Sequence, residues 1–315
     1  MEPSSFDSLA TVTVPNTWLW RLAHRLLPLE KRYQAVLRGW GDQDRMLRVP
    51  WQSLHFHFPA RWLPAYGQTI YKDPATENPE FFRLVAPELG HLGEGAIVDV
   101  GANAGIYTLN FRLCSDRPII AYEPAPALFS LLQHNVQRNR LSQVETRNRA
   151  CGDQAGTVEL ALSMNSSVAA AGAEAGDETA AGTATVPLVR LDADLADTGP
   201  IGLIKIDCEG FEYHILAGAL GLLKKWKPFL FVELHPQFIG RYGHSLRDVY
   251  ALLADGYDCE CWDIGRGNRS AGALARFASR YLPGAEKLPD IEAVIERSVT
   301  APRPTQLFLV AKPKA

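Results

Sequence analysis

One stretch, residues 97–107, restricts the possible folds more than any other part of the chain. It starts with the largely apolar run from Ile97 to Val100, passes through small residues between Gly101 and Gly105, and leads into an apolar helical segment. A buried strand, a glycine turn and a helix in this order direct backbone N–H groups and a helix N-terminus at one point. Such a point suits a nucleoside cofactor, so we expect the chain to fold around it.

The remaining sequence alternates between strand-like and helix-like segments. Six further runs have the length of buried strands and lie at residues 118–122, 144–150, 202–207, 229–236, 257–262 and 306–311. Helical patterns lie between several of them, at residues 126–139, 211–223 and 245–255. This alternation predicts an α/β domain with a mostly parallel sheet and helices on both faces.

The sequence before this sheet has a different character. We treat residues 1–84 as an N-terminal extension and residues 85–315 as the catalytic domain. Apolar and charged residues at helical spacing predict an amphipathic helix over 17–38. This helix could lie on a membrane surface, but its mixed charges favour packing against the main domain. Because the extension is rich in Trp and Phe, we expect it to act as a cap that helps to wall the substrate site.

Two smaller features each leave two interpretations open. Apolar residues alternate with histidines over residues 54–58, which predicts a strand with His55 and His57 on one face. This face is either the ordinary polar side of a strand or a metal site. Without further ligands nearby, we expect the polar face. Residues 165–184 are rich in Ala and Gly and predict a mobile loop, which is either a lid over the substrate or an insertion.

The composition argues against several classes of function. The 315 residues carry a formal net charge of −3, whereas proteins that bind nucleic acid backbones usually have a basic face. No apolar run approaches the roughly 20 residues that span a bilayer, and we expect no secretory signal. The cysteines are five, an odd number, and only Cys259 and Cys261 lie close together, with no second pair to complete a metal site. This favours reduced thiols and a cytoplasmic location. A homo-oligomer is compatible with this composition.

Acidic residues after the next two strands indicate which cofactor binds. Glu123 ends the second strand, 22 positions after Gly101, where a carboxylate can accept both ribose hydroxyls. This pair alone fits both NAD and S-adenosylmethionine. However, the turn has Asn103 at its centre and lacks the third small residue of the dinucleotide fingerprint, and no Tyr-x-x-x-Lys pair occurs. Asp153, after the third strand, offers an acceptor for the adenine amino group, so the residues favour S-adenosylmethionine.

Four motifs follow one another along the chain: Asp99-Val100-Gly101-Ala102-Asn103-Ala104-Gly105, Glu123-Pro124, Gly152-Asp153 and Ile204-Lys205-Ile206-Asp207-Cys208-Glu209-Gly210-Phe211-Glu212. Together they resemble the FkbM family of S-adenosylmethionine-dependent methyltransferases, over about residues 85–240. The resemblance implies a Rossmann-like class I methyltransferase fold, with a seven-stranded sheet whose antiparallel last strand is residues 306–310. It also implies O-methylation as the commonest activity. We expect the cofactor to contact Asp99, Gly101, Asn103, Gly105, Glu123, Asp153 and Asp207.

Polar residues follow two strands that this topology places side by side. Asp207 and Glu209 follow the fourth strand, and Glu233 and His235 end the fifth. Ligands of open α/β sheets bind beyond the carboxyl ends of the strands, so these side chains should converge near the methyl group. We expect His235 to be the general base, because histidine ordinarily titrates near neutral pH. Asp207 would position the cofactor or the acceptor hydroxyl, and Glu209 would contact the substrate.

Three further expectations accompany this assignment. The same four side chains could together bind Mg²⁺, but we favour a site without metal. Glu209 and Glu212 lie on one face of a helix start, where at least one of them should act through the helix dipole. A side chain at Gly101 should block cofactor binding before it disturbs the fold.

The sequence thus predicts an enzyme that methylates a hydroxyl on a sugar, a polyketide, a glycan or another small acceptor, whose identity stays open. One alternative is an NAD-dependent oxidoreductase, and the binding of S-adenosylhomocysteine or NAD would separate the two. Another alternative is a scaffold that binds the cofactor without catalysis. The sequence argues against it, because Asp207, Glu209 and His235 occur together. Methylation of nucleic acid is disfavoured, because the fourth strand ends without the Asp/Asn-Pro-Pro-aromatic signature.

Overall fold

The computed structural model describes residues 6, 8–14, 45–70, 74–162, 167–168, 182–264, 285–300 and 306–314. The helix expected over 17–38 lies outside these residues, as does most of the loop expected over 165–184. Within that loop, residues 167–168 and 183–184 belong to strands. No helix in the described ranges is both long and apolar enough to cross a membrane.

The described residues form fifteen strands and ten α-helices. The strands are β1 (Ala10–Thr13), β2 (Arg45–Trp51), β3 (Leu54–Pro59), β4 (Ala96–Val100), β5 (Ile119–Tyr122), β6 (Val144–Arg147), β7 (Ala150–Cys151), β8 (Gly156–Ala161), β9 (Ser167–Val168), β10 (Thr183–Val189), β11 (Ile201–Ile206), β12 (Phe229–Leu234), β13 (Tyr257–Asp263), β14 (Glu286–Leu288) and β15 (Leu307–Pro313). The helices are α1 (Leu63–Tyr66), α2 (Pro74–Glu77), α3 (Ile106–Cys114), α4 (Pro126–Arg138), α5 (Leu191–Asp194), α6 (Glu212–Ala217), α7 (Leu220–Trp226), α8 (Pro236–Ile239), α9 (Leu246–Leu253) and α10 (Ile291–Thr300). Short 3₁₀-helices lie at Ala60–Trp62, Gly67–Ile70 and Gly240–Tyr242, and a π-helical turn lies at Phe81–Val85.

Eight of these strands form the central sheet, in the order β14-β13-β15-β12-β11-β4-β5-β6. Six of them run in one direction, and β15 and β14 run against them. The expected Rossmann-like α/β fold, with its antiparallel strand near the chain end, is confirmed. The eighth strand, β14, was not expected, because Glu-Lys-Leu is too short and too charged to give a strand pattern. Short charged strands are common at sheet edges, where they discourage pairing with other chains.

Both faces of the sheet are covered, because alternate residues of the inner strands point in opposite directions. Val98 and Ile204 belong to an apolar cluster with residues of α6, α7 and α9. Ile97 and Leu203 belong to a different cluster, which includes Phe111 of α3. As a result, β4 and β11 are buried along their whole length, as continuous apolar runs predict.

The third strand is shorter than expected. The run 144–150 is divided into β6, which ends at Arg147, and β7, which belongs to a second sheet of order β7-β10-β8-β9. Asn148 lies at the break, and its side chain donates to the carbonyl oxygens of Glu123 and Pro124 at 2.8 and 2.9 Å. The break therefore ties the end of β6 to the end of β5, which carries the expected ribose acceptor.

The extension contributes a small sheet of β1, β2 and β3, which packs directly on the main domain. Trp51 and Phe56 are fully buried in a cluster that includes Leu109 of α3 and Leu131 of α4. In addition, Nε1 of Trp51 donates to Oδ1 of Asn110 at 2.8 Å. The sheet therefore rests on the two helices that follow β4 and β5.

Two asparagine side chains, one in α4 and one directly after it, form hydrogen bonds with the outer edge of β3. Oδ1 of Asn135 accepts from the N–H of His57 at 2.7 Å, and its Nδ2 donates to the carbonyl oxygen of His57 at 3.0 Å. Asn139 makes the same pair of bonds with His55, both at 2.7 Å. The two asparagines are four residues apart and the two histidines are two residues apart in the strand, and each spacing advances the chain by about 6–7 Å. Each asparagine therefore lies opposite its own histidine. The expectation of a simple polar face is wrong for His57, because the residue is buried and burial lowers its pKa to about 3.

Candidate active site

The glycine turn between β4 and α3 has a backbone that most residues avoid. Gly101, Asn103 and Gly105 have positive φ angles of 74°, 53° and 93°. A Cβ at Gly101 would lie 1.9 Å from the carbonyl oxygen of Asp207, just after β11. The expectation that a side chain here would block the cofactor before it disturbs the fold is therefore wrong, since the neighbouring backbone already fills the space.

Glu123 joins this turn to the end of β5. Its Oε2 accepts from the N–H of Asn103 and its Oε1 from the N–H of Ala125, both at 2.8 Å. The residue is 4% exposed, and burial raises its pKa to about 7. A carboxylate has about four lone-pair sites, so two remain for further donors. This arrangement leaves room for the two ribose hydroxyls that the sequence predicts at Glu123.

Asn103 also connects the turn to the extension. Its Oδ1 accepts from the hydroxyl of Tyr66 in α1 and, at 2.7 Å, from the N–H of Ala104. Tyr66 is buried, and no motif in the sequence identifies it as part of the site. The extension therefore reaches the residue at the centre of the expected cofactor turn.

A cavity opens between the turn, the end of β5, β7 and the end of β11. The expected site residues that line it are Gly101, Asn103, Glu123, Asp207 and Glu209. Much of its remaining wall comes from residues that the motifs did not single out for a role: Tyr122, Pro124, Leu128, Cys151, Phe211 and Ile215. The other expected residues are not part of this lining: Asp99, Gly105, Asp153 and His235.

Asp153 and Gly105 have other neighbours. Oδ2 of Asp153 lies 3.1 Å from Nδ1 of His214 in α6. A Cβ at Gly105 would lie 2.8 Å from Cδ1 of Leu132, so glycine here allows α4 to pack closely on the turn. The adenine contact of Asp153 and the cofactor contact of Gly105 stay predictions.

Asp99 forms a buried ion pair with Lys205 of β11. Oδ1 of Asp99 lies 3.1 Å from Nζ of Lys205, and Oδ2 accepts from the hydroxyl of Thr108 at 2.7 Å. Lys205 also donates to the carbonyl oxygen of Gly101 at 2.8 Å and lies 3.7 Å from Asp207. Burial opposes the charge of Lys205, but Asp99 and Asp207 outweigh it and raise the lysine pKa. Lys205 therefore holds the turn and Asp207 together, a role that the sequence motif did not reveal.

His235 lies among four carboxylates. Its Nδ1 is 2.7 Å from Oε1 of Glu212, which is fully buried. Its Nε2 lies 3.8 Å from both Asp207 and Glu209 and 3.9 Å from Glu233. Burial lowers the pKa of His235, but the carboxylates outweigh it and raise the pKa to about 10. The ordinary pKa that we assumed for a general base is therefore wrong for this site, where His235 is an imidazolium at neutral pH.

The three carboxylates that face Nε2 are brought together as the strand ends predicted. Asp207, Glu209 and Glu233 are between 19% and 28% exposed, and no donor among the described residues forms a hydrogen bond with their side chains. Burial raises the pKa of Glu209 and, with the charge of Asp207, that of Glu233. Asp207, Glu233 and His235 each offer one ligand atom within 4.8 Å of the others. The group can therefore accept several donors or one cation.

Glu80, which belongs to the expected extension, lies near this group. Its Oε1 accepts from the hydroxyl of Tyr107 at 2.5 Å, and the tyrosine ring lies 4.9 Å from Nζ of Lys205. Burial raises the pKa of Glu80 to about 7. No motif marks Glu80 in the sequence, because it reaches the site only through the packing of the residues before β4.

Comparisons with known proteins identify the family of this chain. A family model described as the methyltransferase FkbM domain matches residues 99–261. The chain is similar to Methyltransferase sdnD of Sordaria araneosa, with 31% identity over 153 residues that cover 39% of this chain and 59% of that protein. It is also similar to Methyltransferase 1 of Beauveria bassiana (strain ARSEF 2860), with 37% identity over 65 residues that cover 20% of this chain and 26% of that protein. The chain thus spans less than two thirds of the length of these relatives.

Among solved structures, the chain is similar to the methyltransferase FkbM from Methylobacillus flagellatus KT. The identity is 19%, the TM-score is 0.38, and the match covers 64% of this chain and 55% of the other. The region matched by the family model, residues 99–261, contains the glycine turn, Glu123 and the acidic group around His235, and it spans slightly more than half of the sequence. The chain therefore belongs to the FkbM methyltransferase family.

Proposed function

We propose that this protein transfers the methyl group of S-adenosylmethionine to a hydroxyl oxygen of a small-molecule or glycan acceptor, such as a sugar or a polyketide. The observation that carries the proposal is one cavity whose lining includes both Glu123 and the carboxylates of Asp207 and Glu209. The same cavity therefore offers an acceptor for ribose hydroxyls and acceptors for a reacting hydroxyl.

On the donor side, the two ribose hydroxyls donate to the lone-pair sites of Glu123 that the backbone leaves free. The wall of Pro124, Leu128 and Cys151 suits the flat adenine ring, since ligand pockets are mostly apolar with a few placed polar groups. The positive sulfonium is favoured beside the carboxylate of Asp207, because opposite charges attract strongly where water is scarce.

On the acceptor side, the hydroxyl oxygen attacks the methyl carbon in line with the C–S bond. The C–O bond forms, the electron pair of the C–S bond goes to sulfur, and S-adenosylhomocysteine leaves. Positioning supplies much of the rate of such a displacement, and a base adds roughly 10²–10⁴-fold.

We assign the hydroxyl proton to Glu209, which lines the cavity and forms no hydrogen bond with another described residue. Its φ of 48° is costly for a residue other than glycine, and functional sites often retain such strain. His235, as an imidazolium, is then a positioning residue that holds Asp207 and Glu209 by charge.

Calorimetry tests the donor assignment. We expect S-adenosylhomocysteine to bind and NAD not to bind. Glu123→Gln should weaken binding of S-adenosylhomocysteine by about 10–100-fold, because charge-assisted hydrogen bonds are worth roughly 1.5–3 kcal/mol each. Glu145→Gln removes an exposed carboxylate on the neighbouring strand β6 and should leave binding unchanged. Binding of NAD in place of S-adenosylhomocysteine would refute the assignment.

Incubation with labelled S-adenosylmethionine and a panel of sugars, polyketides and amines tests the acceptor class. We expect the label to appear on oxygen, identified by mass spectrometry and NMR of the product, and Glu209→Gln to reduce turnover by about 10²-fold or more. Transfer to nitrogen, or unchanged turnover of Glu209→Gln, would contradict the acceptor assignment.

A further inference from the structure

We propose that Asp207, Glu233 and His235 bind one divalent transition-metal cation beside the cavity, at the edge that Asp207 lines. This departs from our expectation of a site without metal, and the reason is the geometry at the ends of β11 and β12. Two carboxylates and one neutral imidazole suit an ion such as Mn²⁺ better than Mg²⁺, because imidazole is a softer ligand than oxygen. The ion displaces the Nε2 proton that His235 carries in the metal-free protein, and this proton is released to water.

The spacing of the ligand atoms fits a single ion. One atom from each of Asp207, Glu233 and His235 lies within 4.8 Å of the other two. Because metal–ligand distances are about 2.0–2.4 Å, atoms at this spacing need to approach one another by only a few tenths of an ångström for one ion to contact all three. Asp207 follows β11, Glu233 lies in β12 and His235 follows it, so the ends of two paired parallel strands supply the ligands.

The buried imidazole gives a second, independent indication of a ligand. The side chain of His235 is 9% exposed, and its Nε2 points into the group without a hydrogen bond, since the nearest carboxylate oxygens are 3.8–3.9 Å away. The other ring nitrogen lies 2.7 Å from the buried carboxylate of Glu212, which also accepts from the N–H of Gly210 at 2.9 Å. Histidines that bind metals almost always donate their second ring N–H to such a partner.

The charge around the site is also unbalanced. The carboxylates of Asp207, Glu209, Glu212 and Glu233 surround one imidazolium. Two further cations are nearby: Arg241 acts on Glu209, and Lys205 lies closer to Asp99 than to Asp207. Carboxylates withdrawn from water need a compensating charge. A divalent cation supplies that charge and would become the largest local charge in the site.

The cation would have positions left for an acceptor oxygen, which it would orient beside the methyl group. This catalytic role rests on the proposed function, whereas binding of the cation does not. Binding is therefore measured without turnover, on full-length protein that has been treated with a chelator and dialysed.

Titration with Mn²⁺, followed by the loss of the electron paramagnetic resonance signal of the free ion, gives affinity and stoichiometry. We expect one Mn²⁺ per chain and a loss of about tenfold or more in affinity for Glu233→Gln and His235→Ala. Glu212→Gln should also weaken binding by about 10–100-fold, although Glu212 is not a ligand. Glu260→Gln, which removes a carboxylate that pairs with Lys287 on distant strands, should bind like the wild type. Circular dichroism confirms that each variant is folded.

The absence of saturable Mn²⁺ binding, or equal binding by the wild type, Glu233→Gln and His235→Ala, would overturn the inference. Unchanged binding by Glu212→Gln would do the same, because an incidental group of acids has no need of that partner. Mn²⁺ binding without methyl transfer would refute the proposed function and leave the metal site intact. Methyl transfer by a protein that binds no Mn²⁺ would overturn the metal site and leave the proposed function intact.

Discussion

Replacing Lys205 by methionine tests how strongly the buried ion pair supports the glycine turn. Lys205 is 2% exposed and Asp99 is fully buried, so the change leaves a buried carboxylate with the Thr108 hydroxyl as its remaining partner among the described residues. Removing one member of a buried pair costs about 3–5 kcal/mol. The carbonyl oxygen of Gly101 also loses its donor at 2.8 Å. We therefore expect the free energy of unfolding to fall by about 4 kcal/mol.

Urea denaturation measures this loss. Lys312→Met is the matched control, because it breaks a pair with Glu88 whose side chains are 46% and 30% exposed, and such pairs contribute about 1 kcal/mol or less. Adding Asp99→Asn to Lys205→Met removes the uncompensated charge and should restore about 2 kcal/mol. A loss for Lys205→Met no larger than that for Lys312→Met would refute the reasoning.

Three further predictions concern single side chains. Gly101→Ala should lower the free energy of unfolding, measured by urea denaturation, by more than about 3 kcal/mol, because its Cβ would meet the backbone of Asp207. Gly243→Ala is the control: Gly243 has a φ of 78° but open space around it, so the loss should be about 1–2 kcal/mol. The ribose hydroxyls donate to the ionised form of Glu123, whose pKa is raised by burial to about 7. The Kd for S-adenosylhomocysteine should therefore rise about tenfold when the pH falls from 8 to 6, and Glu123→Gln should abolish this pH dependence. Burial likewise raises the pKa of Glu80 to about 7, so ionisation of Glu80 should cost the wild type about 3 kcal/mol of stability, relative to Glu80→Gln, as the pH rises from 4.5 to 8. Glu80→Gln cannot ionise and should gain stability relative to the wild type over that range; parallel pH curves for the two proteins would contradict this.

The central sheet was predictable from the sequence because burial on both faces imposes a pattern on neighbouring residues. The apolar runs at β4 and β11 and the acidic residue at the end of β5 are local signals, and the turn needs glycine at fixed spacing. The convergence of Asp207 and Glu233 was also predictable, since parallel strands that lie side by side end at the same edge of the sheet.

Other parts of the site depend on contacts between distant residues. Lys205 meets Gly101 from 104 positions away, and Asn103 accepts from Tyr66 across 37 positions. No residue pattern within a strand or helix records such a contact. The pKa of His235 was wrongly assumed for the same reason: three of its four carboxylate neighbours come from outside its own strand, and their combined charge follows only from the packing.

The amide pairs between α4 and β3 have a consequence for how the molecule behaves in concentrated solution. β3 pairs with β2 on one side, and on the other side Asn135 and Asn139 occupy the backbone groups that a foreign strand would need. An uncovered strand edge is a template for pairing with another chain. The two asparagines therefore protect this edge of β3 from pairing with another chain, although they lie far from any reacting atom.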